Sequence, residues 1–362
     1  MGLNYKLNII DLKKWKSTEL LHNLVDILNE NCTLRISHRD RWQTVLNCLE
    51  YIPVRYMNST IEYYLIVEAG RGNIWHDISV ILTHEGQDIG IFPLSISVDN
   101  EISRISSHGR PVLPPIMIPS LPRKIHKEGI KFCLDLVKKI TEIFQIKSWQ
   151  SYIGFPQCIN LDSWYRHILE QGGTEIIVEH ELYLNLDLPL DKIRQSFRKR
   201  YKNLINVGER CWQVGILSSP DVSIWEEFEN LHLYVAGRKT RSEASWQEQY
   251  RQVVTGDAFL VYARDDNHRM IGGGLFTCSR DECGYSVGAY DRNLFDKPIS
   301  HIIQFYAIKE MKKRQIHWYY IGKRFYQHTL ETPTDKELSI SHFKEGFASH
   351  MIPALLIKAS MI

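Results

Sequence analysis

The chain has 362 residues, 44% of them apolar and 24% charged, with a net charge of +2. That is ordinary globular composition with room for two domains. It excludes a global field that draws the protein to nucleic acid or anionic lipid, so any anion site is local. No run of ~18 apolar residues occurs, and no integral membrane segment is expected.

Seven cysteines are an odd number, and the first residues, MGLNYKLNIIDLKKWK, contain no apolar signal core. Both features point to a reducing, cytoplasmic compartment. The close pair in CSRDEC, Cys278 and Cys283, reads as two strand cysteines flanking a hairpin turn. No second Cys/His pair at a familiar spacing completes a metal site, so no metal is expected.

In chain order, residues 17–31 carry apolar side chains at helical spacing behind a capping Ser-Thr. Residues 76–98 read as two strands about the turn His84–Gln87. A proline-dense connector (106–122), a helix (127–144) and a strand (148–155) follow. The second half repeats that order at greater length. Helices are expected over 190–210, 223–238 and 245–255, then a hairpin over 257–279 and a strand over 283–290. Next come the loop DRNLFDKPISH, a helix over 300–314 and a strand over 317–322. Residues 351–360 look like a closing strand that returns to the first half. Gly272, Gly273 and Gly274 fall inside a strand, which signals a bulge or a close backbone approach rather than a dinucleotide fingerprint.

This element order resembles the GNAT acyltransferase fold, and its duplication resembles the FemABX-like and CelD-like proteins. SFRKRYKNLINVGER (196–210), LHLYVAGRKTRSEASW (231–246) and KELSISHFKEGFA (336–348) carry the likeness. The resemblance implies an α/β (α+β) chain of tandem GNAT-like domains, each a mixed, mostly antiparallel sheet flanked by helices. The expected boundaries are 1–178, completed by 349–362, and 179–348. The implied activity is transfer of an acyl or aminoacyl group to an amine, or less often a hydroxyl, of a polysaccharide or peptidoglycan precursor. Acyl-CoA or aminoacyl-tRNA would be the co-substrate, with no tightly bound cofactor. The implied partners are a nucleotide- or lipid-linked glycan precursor, tRNA, and membrane enzymes contacted peripherally. A glycan- or partner-binding protein without catalysis is the competing expectation.

GNAT enzymes that use acetyl-CoA hold its pyrophosphate on a glycine-rich loop. Here that loop, 291–301, has no glycine, and its counterpart in the first half, 108–126, has one glycine and five prolines. Proline removes N–H donors, so side chains must replace the backbone, and Arg292, Lys297 and His301 are placed to bind an anion. Asp291 is the first candidate to accept the amine proton. His301 is the second, because an unperturbed imidazole titrates near ~6.5. Lys323 and Lys344 are candidates for phosphate or carbonyl contact. Arg238, Lys239 and Arg241 form an expected acceptor rim, although cations after a helix are also favourable for structural reasons. Tyr290 and Tyr306 suit glycan or nucleotide stacking, or simply fill a core. Arg194, Arg198 and Lys202, at i, i+4 and i+8 of one helix, make a basic ridge for a diphosphate or tRNA backbone, or a solvated face.

Overall fold

The computed structural model describes residues 32–99, 102–159, 163–170, 175–294, 296–327 and 332–360. The helix expected over 17–31 lies outside them. The first elements are β1 (Cys32–Leu34), α1 (Arg39–Asn47), α2 (Asn58–Gly70), β2 (His76–Asp77), β3 (Val80–His84), β4 (Gln87–Phe92), β5 (Ser95–Asp99) and β6 (Ile102–Ser106). Then come β7 (Ile116–Met117), α3 (Arg123–Ile143), β8 (Ser148–Ile153), α4 (Ser163–Glu170), β9 (Glu175–Asn185), α5 (Leu190–Ser196), α6 (Lys199–Cys211) and β10 (Gln213–Leu217). The chain closes with α7 (Val222–Ala236), α8 (Glu243–Thr255), β11 (Ala258–Arg264), β12 (Met270–Cys278), β13 (Glu282–Tyr290), α9 (Ile299–Lys313), β14 (Trp318–Arg324), α10 (Asp335–Glu345) and β15 (His350–Ser360).

Contacts divide the chain into two units. Among the described residues, one gathers 32–50, Arg71–Ile177 and 355–360; the other gathers Tyr51–Gly70 and Val178–Ala354. Residues 51–70, expected in the first half, therefore cluster with the second, and the hydrogen bonds give the reason. Ile52 N donates to Asp281 at 2.9 Å and Val54 N to Glu282 at 2.7 Å, both on the tip between β12 and β13. Gln252 of α8 donates to the Ser59 carbonyl at 2.9 Å.

In the first unit, β1-β3-β4-β7 and β2-β5-β6 form two small sheets, and β8 pairs antiparallel with residues 355–360 of β15. The amphipathic α3 buries Leu134, Val137 and Ile140 against the strands, while Trp164 packs edge-on to Phe92. Beneath this core lies a buried charge network. Arg35 grips Asp77 at 2.7 Å, and His108 Nε2 lies 3.0 Å from the same carboxylate. Burial works to raise the Asp77 pKa, but Arg35, His108 and Ser79 outweigh it and hold the carboxyl well below its usual range.

In the second unit the sheet runs β10-β11-β12-β13-β14-β9-β15. Of its strands, β13 and β14 pair in parallel, whereas β10–β11, β11–β12, β12–β13 and β14–β9 are antiparallel. Helices α5, α6 and α9 share one apolar cluster with the sheet, and α7 and α8 share another. The architecture is thus mixed α/β, a mostly antiparallel sheet flanked by helices, as expected. The three glycines of β12 mark close approaches: a Cβ at Gly272 would lie 2.4 Å from Ile299, at Gly273 2.7 Å from Phe228, and at Gly274 3.0 Å from Ile303. Cys278 and Cys283 are buried free thiols and register partners beside the hairpin turn.

The helix expected over 190–210 is two helices. Phe197 is extended (ψ 152°) and Arg198 caps the second, because Phe197 turns into the core against Phe347, 5.1 Å away. The break removes the basic ridge, since Arg194 no longer shares one helical face with Arg198 and Lys202.

Candidate functional site

Strands β13 and β14 hold each other only from Glu282 to Gly284 against Trp318 to Tyr320. Beyond that, β13 continues to Tyr290 along β12 and β14 continues to Arg324 along β9. The strands splay, and their far halves bound an open V. Backbone groups within such a splay have lost their ladder partners, and buried polar groups need others.

Local sequence shapes each wall. A bulge between the Leu275 and Phe276 pairs leaves Ser286 as the extra residue of β13. Tyr285 and Tyr290 are five positions apart, which would point them to opposite faces of a regular strand. The extra residue restores the same face, and their hydroxyls meet at 2.9 Å. Gly288 lies beneath, where a Cβ would stand 1.9 Å from the Tyr285 oxygen. Burial pushes the Tyr285 phenol up to about 12 and Tyr290 well above its ordinary value, so both are neutral donors near neutral pH. One hydroxyl donates to the other, which leaves one proton of the pair free for a substrate.

Across the V, β14 bends at Gly322, whose φ of 140° only glycine adopts readily. The bend makes room for Lys344 of α10: a Cβ at Gly322 would lie 2.6 Å from its Nζ. That Nζ also stands 5.4 Å from the centre of the Tyr285 ring. Among the described residues no carboxylate pairs with it. The one acid beside it in sequence, Glu345, is engaged by Arg324 at 3.1 Å, by His342 at 3.4 Å and by Arg198 at 3.9 Å. Burial lowers the Lys344 pKa to about 8.

His301 stands in the first turn of α9. Its ring is edge-on to Tyr201 at 4.5 Å and to Phe343 at 5.1 Å, and its buried Nδ1 has no hydrogen-bond partner. Burial, with help from Arg200, pushes its pKa down to about 4. The expectation of an ordinary imidazole is corrected: His301 is neutral and a weak base.

Asp291 is placed differently from expectation. Its side chain is 2% exposed and held by Arg269 at 3.2 Å, and it accepts from Asn293 N at 3.0 Å. It ties the turn after β13. Tyr306 lies under Lys309, whose Nζ is 4.0 Å from its ring centre. Arg241 donates to Tyr63 and sits 5.8 Å over Trp246, so it anchors α8 to α2. Arg238, Lys239 and Arg292 are exposed. Lys323 is paired with Glu179. Arg194 is spent on Asn206 and the Phe305 ring, Arg198 donates to the His342 carbonyl at 3.1 Å, and Lys202 is half-buried on α6. Of the expected residues, Lys344 and Tyr290 both meet Tyr285, while His301 packs against Phe343, the residue before Lys344. Sequence reasoning gave no role in the site to Gly288 and Gly322.

No family model and no curated protein matches the sequence. Solved structures do match. FemX superposes with a TM-score of 0.60 at 12% identity, over 81% of this chain and 90% of FemX. A conserved protein of unknown function from Bacteroides thetaiotaomicron gives 0.56 at 7%, over 90% and 97%. The C-terminal domain of a putative lysylphosphatidylglycerol synthetase from Agrobacterium fabrum gives 0.55 at 9%, over 88% and 91%. At these identities the likeness is one of fold, and it agrees with the FemABX-like architecture expected from the sequence.

Proposed function

We propose that this protein is an acyl- or aminoacyltransferase, acting on an amine of a cell-envelope polysaccharide or peptidoglycan precursor. Its reaction centre is the splay of β13 and β14 in the second unit. The observation that carries the reading is the Lys344 ammonium, half-buried, without a carboxylate partner among the described residues, and set over the Tyr285 ring, whose hydroxyl meets that of Tyr290. A buried cation with no counter-charge is costly unless a ligand supplies the charge. The oxyanion that develops on an acyl carbonyl under amine attack supplies it at the moment of reaction.

In this mechanism the acyl carbonyl oxygen points at Lys344 Nζ, and the free proton of the tyrosine pair gives a second contact. The attacking amine sheds one proton and the departing oxygen or sulfur gains one, so the neutral hydroxyl pair can pass it between them without itself changing charge. Neutral His301 walls the acyl group and offers Nδ1 as a hydrogen-bonding atom. Exposed Lys199 and Arg200, at the start of α6, with Arg238, Lys239 and Arg292, are cations open to an anionic precursor or a tRNA backbone.

The donor is tested directly by assaying acetyl-CoA and a set of aminoacyl-tRNAs against nucleotide-linked muramyl and amino-sugar acceptors, with products read by mass spectrometry. Lys344→Met should lower kcat/KM about 100-fold or more, the usual loss for one oxyanion contact. Tyr285→Phe should cost about tenfold while circular dichroism stays unchanged. Turnover by Lys344→Met within threefold of wild type would remove the site. The alternative, a glycan-binding protein without catalysis, is favoured if the acceptor raises Tm and no donor turns over.

A further inference from the structure

An amine in a desolvated site with no acid to hold its proton is chemically unlike the other lysines among the described residues. Lys344 touches Gly322 of β14 and the Tyr285 ring of β13. Charged groups adjoining it in sequence or next to Gly322 on β14 are occupied elsewhere. On β14, Lys323 is paired with Glu179 and Arg324 with Glu345; on its own helix, His342 is paired with Glu345. The Tyr285 phenol is neutral. Its titration, displaced to about 8 by burial, follows from that geometry.

We propose that Lys344 is itself a modification site, a preferred acceptor for small activated acyl compounds, thioesters and acyl phosphates, ahead of the exposed lysines of the chain. The neutral amine attacks the carbonyl carbon. A C–N bond forms, and the C–S or C–O bond breaks with its electron pair leaving on sulfur or phosphate. The amine's proton passes to that leaving group or to water. The product is an uncharged amide, and no other reactant is needed. Desolvation activates lysine nucleophiles in this way. An amine titrating near 8 is about a quarter neutral at about pH 7.5, against roughly one part in a thousand for an ordinary lysine. Its lower basicity gives back part of that advantage, leaving a rate gain of roughly tenfold. The reactivity follows from the surroundings of Lys344 alone. Only the consequence, that the amide no longer polarises a carbonyl and so closes the site, rests on the proposed function.

The full chain is incubated with acetyl phosphate, and separately with acetyl-CoA, over about pH 6 to 10. Acetylated peptides are then followed in time by mass spectrometry. Lys336, exposed on the same helix, is the internal reference. The expected result is acetylation of Lys344 about tenfold faster than Lys336 near neutral pH, with a rate that levels off above about pH 8. Labelling no faster than Lys336, or a rate still climbing at about pH 10, overturns the proposal. The two readings separate cleanly. If Lys344 reacts first while Lys344→Met still turns over normally, the reaction centre is misplaced and this inference stands.

Discussion

His301 sits edge-on to Tyr201 and Phe343, with no acid among its hydrogen-bond partners, so charging it costs desolvation that nothing offsets. Its folded pKa is about 4 against an ordinary 6.5. Between those values the unfolded chain takes up a proton that the folded chain refuses. This contribution to stability is therefore fully present above pH 6.5 and falls as pH drops through the window. His301 is only partly buried, so about 2 kcal/mol is the expected loss by the bottom of the window. Urea unfolding from neutral pH downward checks it: His301→Gln should lose that slope, and an unchanged slope would mean that the ring is hydrated. Little of this was legible in the sequence. His301 and Lys344 were marked as candidates by their position at element edges, but the burial that shifts their titrations comes with rings contributed by residues about 40 to 100 positions away. Asp291 has the same kind of position, and there the distant partner, Arg269, pairs with the carboxylate.

Strand β13 carries the chemistry because of one extra residue. Its hydrophobic alternation and its boundaries were readable from CGYSVGAY. The bulge at Ser286 was not, since nothing local distinguishes a strand with an inserted residue from a regular one. Gly284 and Gly288 were the available signal, glycine in a strand being a frequent mark of a bulge or close approach. The α5–α6 break was hidden for a related reason. Phe197 fits the apolar stripe of a continuous helix, and only its burial against Phe347 shows why the backbone turns there. Strand β10 and helix α2 were missed too: β10 is short, and α2, apolar along IEYYLIV, lacks a polar face to give it a period. The bulge makes a prediction of its own. Gly288→Ala adds a methyl 1.9 Å from the Tyr285 hydroxyl, which must swing away from Tyr290. Activity should fall about tenfold or more, as for displacement of a positioned group by roughly 1 Å, with folding retained. A Gly288→Ala enzyme at full rate would show that the hydroxyl pair is not used.

At the level of the whole chain, the duplicated order of hairpin, connector, helix and strand was the most legible feature, because each step is marked by a change of hydrophobic period. Where the units divide was less so. Residues 51–70 go with the second unit because Asp281 and Glu282 accept their backbone N–H groups, a tie across more than 200 positions that no local pattern announces. The two units also use buried charge differently. Arg35, Asp77 and His108 satisfy one another and leave nothing for a ligand, whereas Lys344 in the second unit is left without a carboxylate. That contrast is why the reaction is assigned to the second unit. The most direct test is a crystal structure of the protein with an unreactive analogue of whichever donor it turns over. The account predicts the acyl oxygen within about 3 Å of Lys344 Nζ, between Gly322 and Tyr285. An acyl group bound in the first unit, or a donor pyrophosphate cradled on backbone N–H groups of residues 291–298 with its carbonyl away from Lys344, would contradict it.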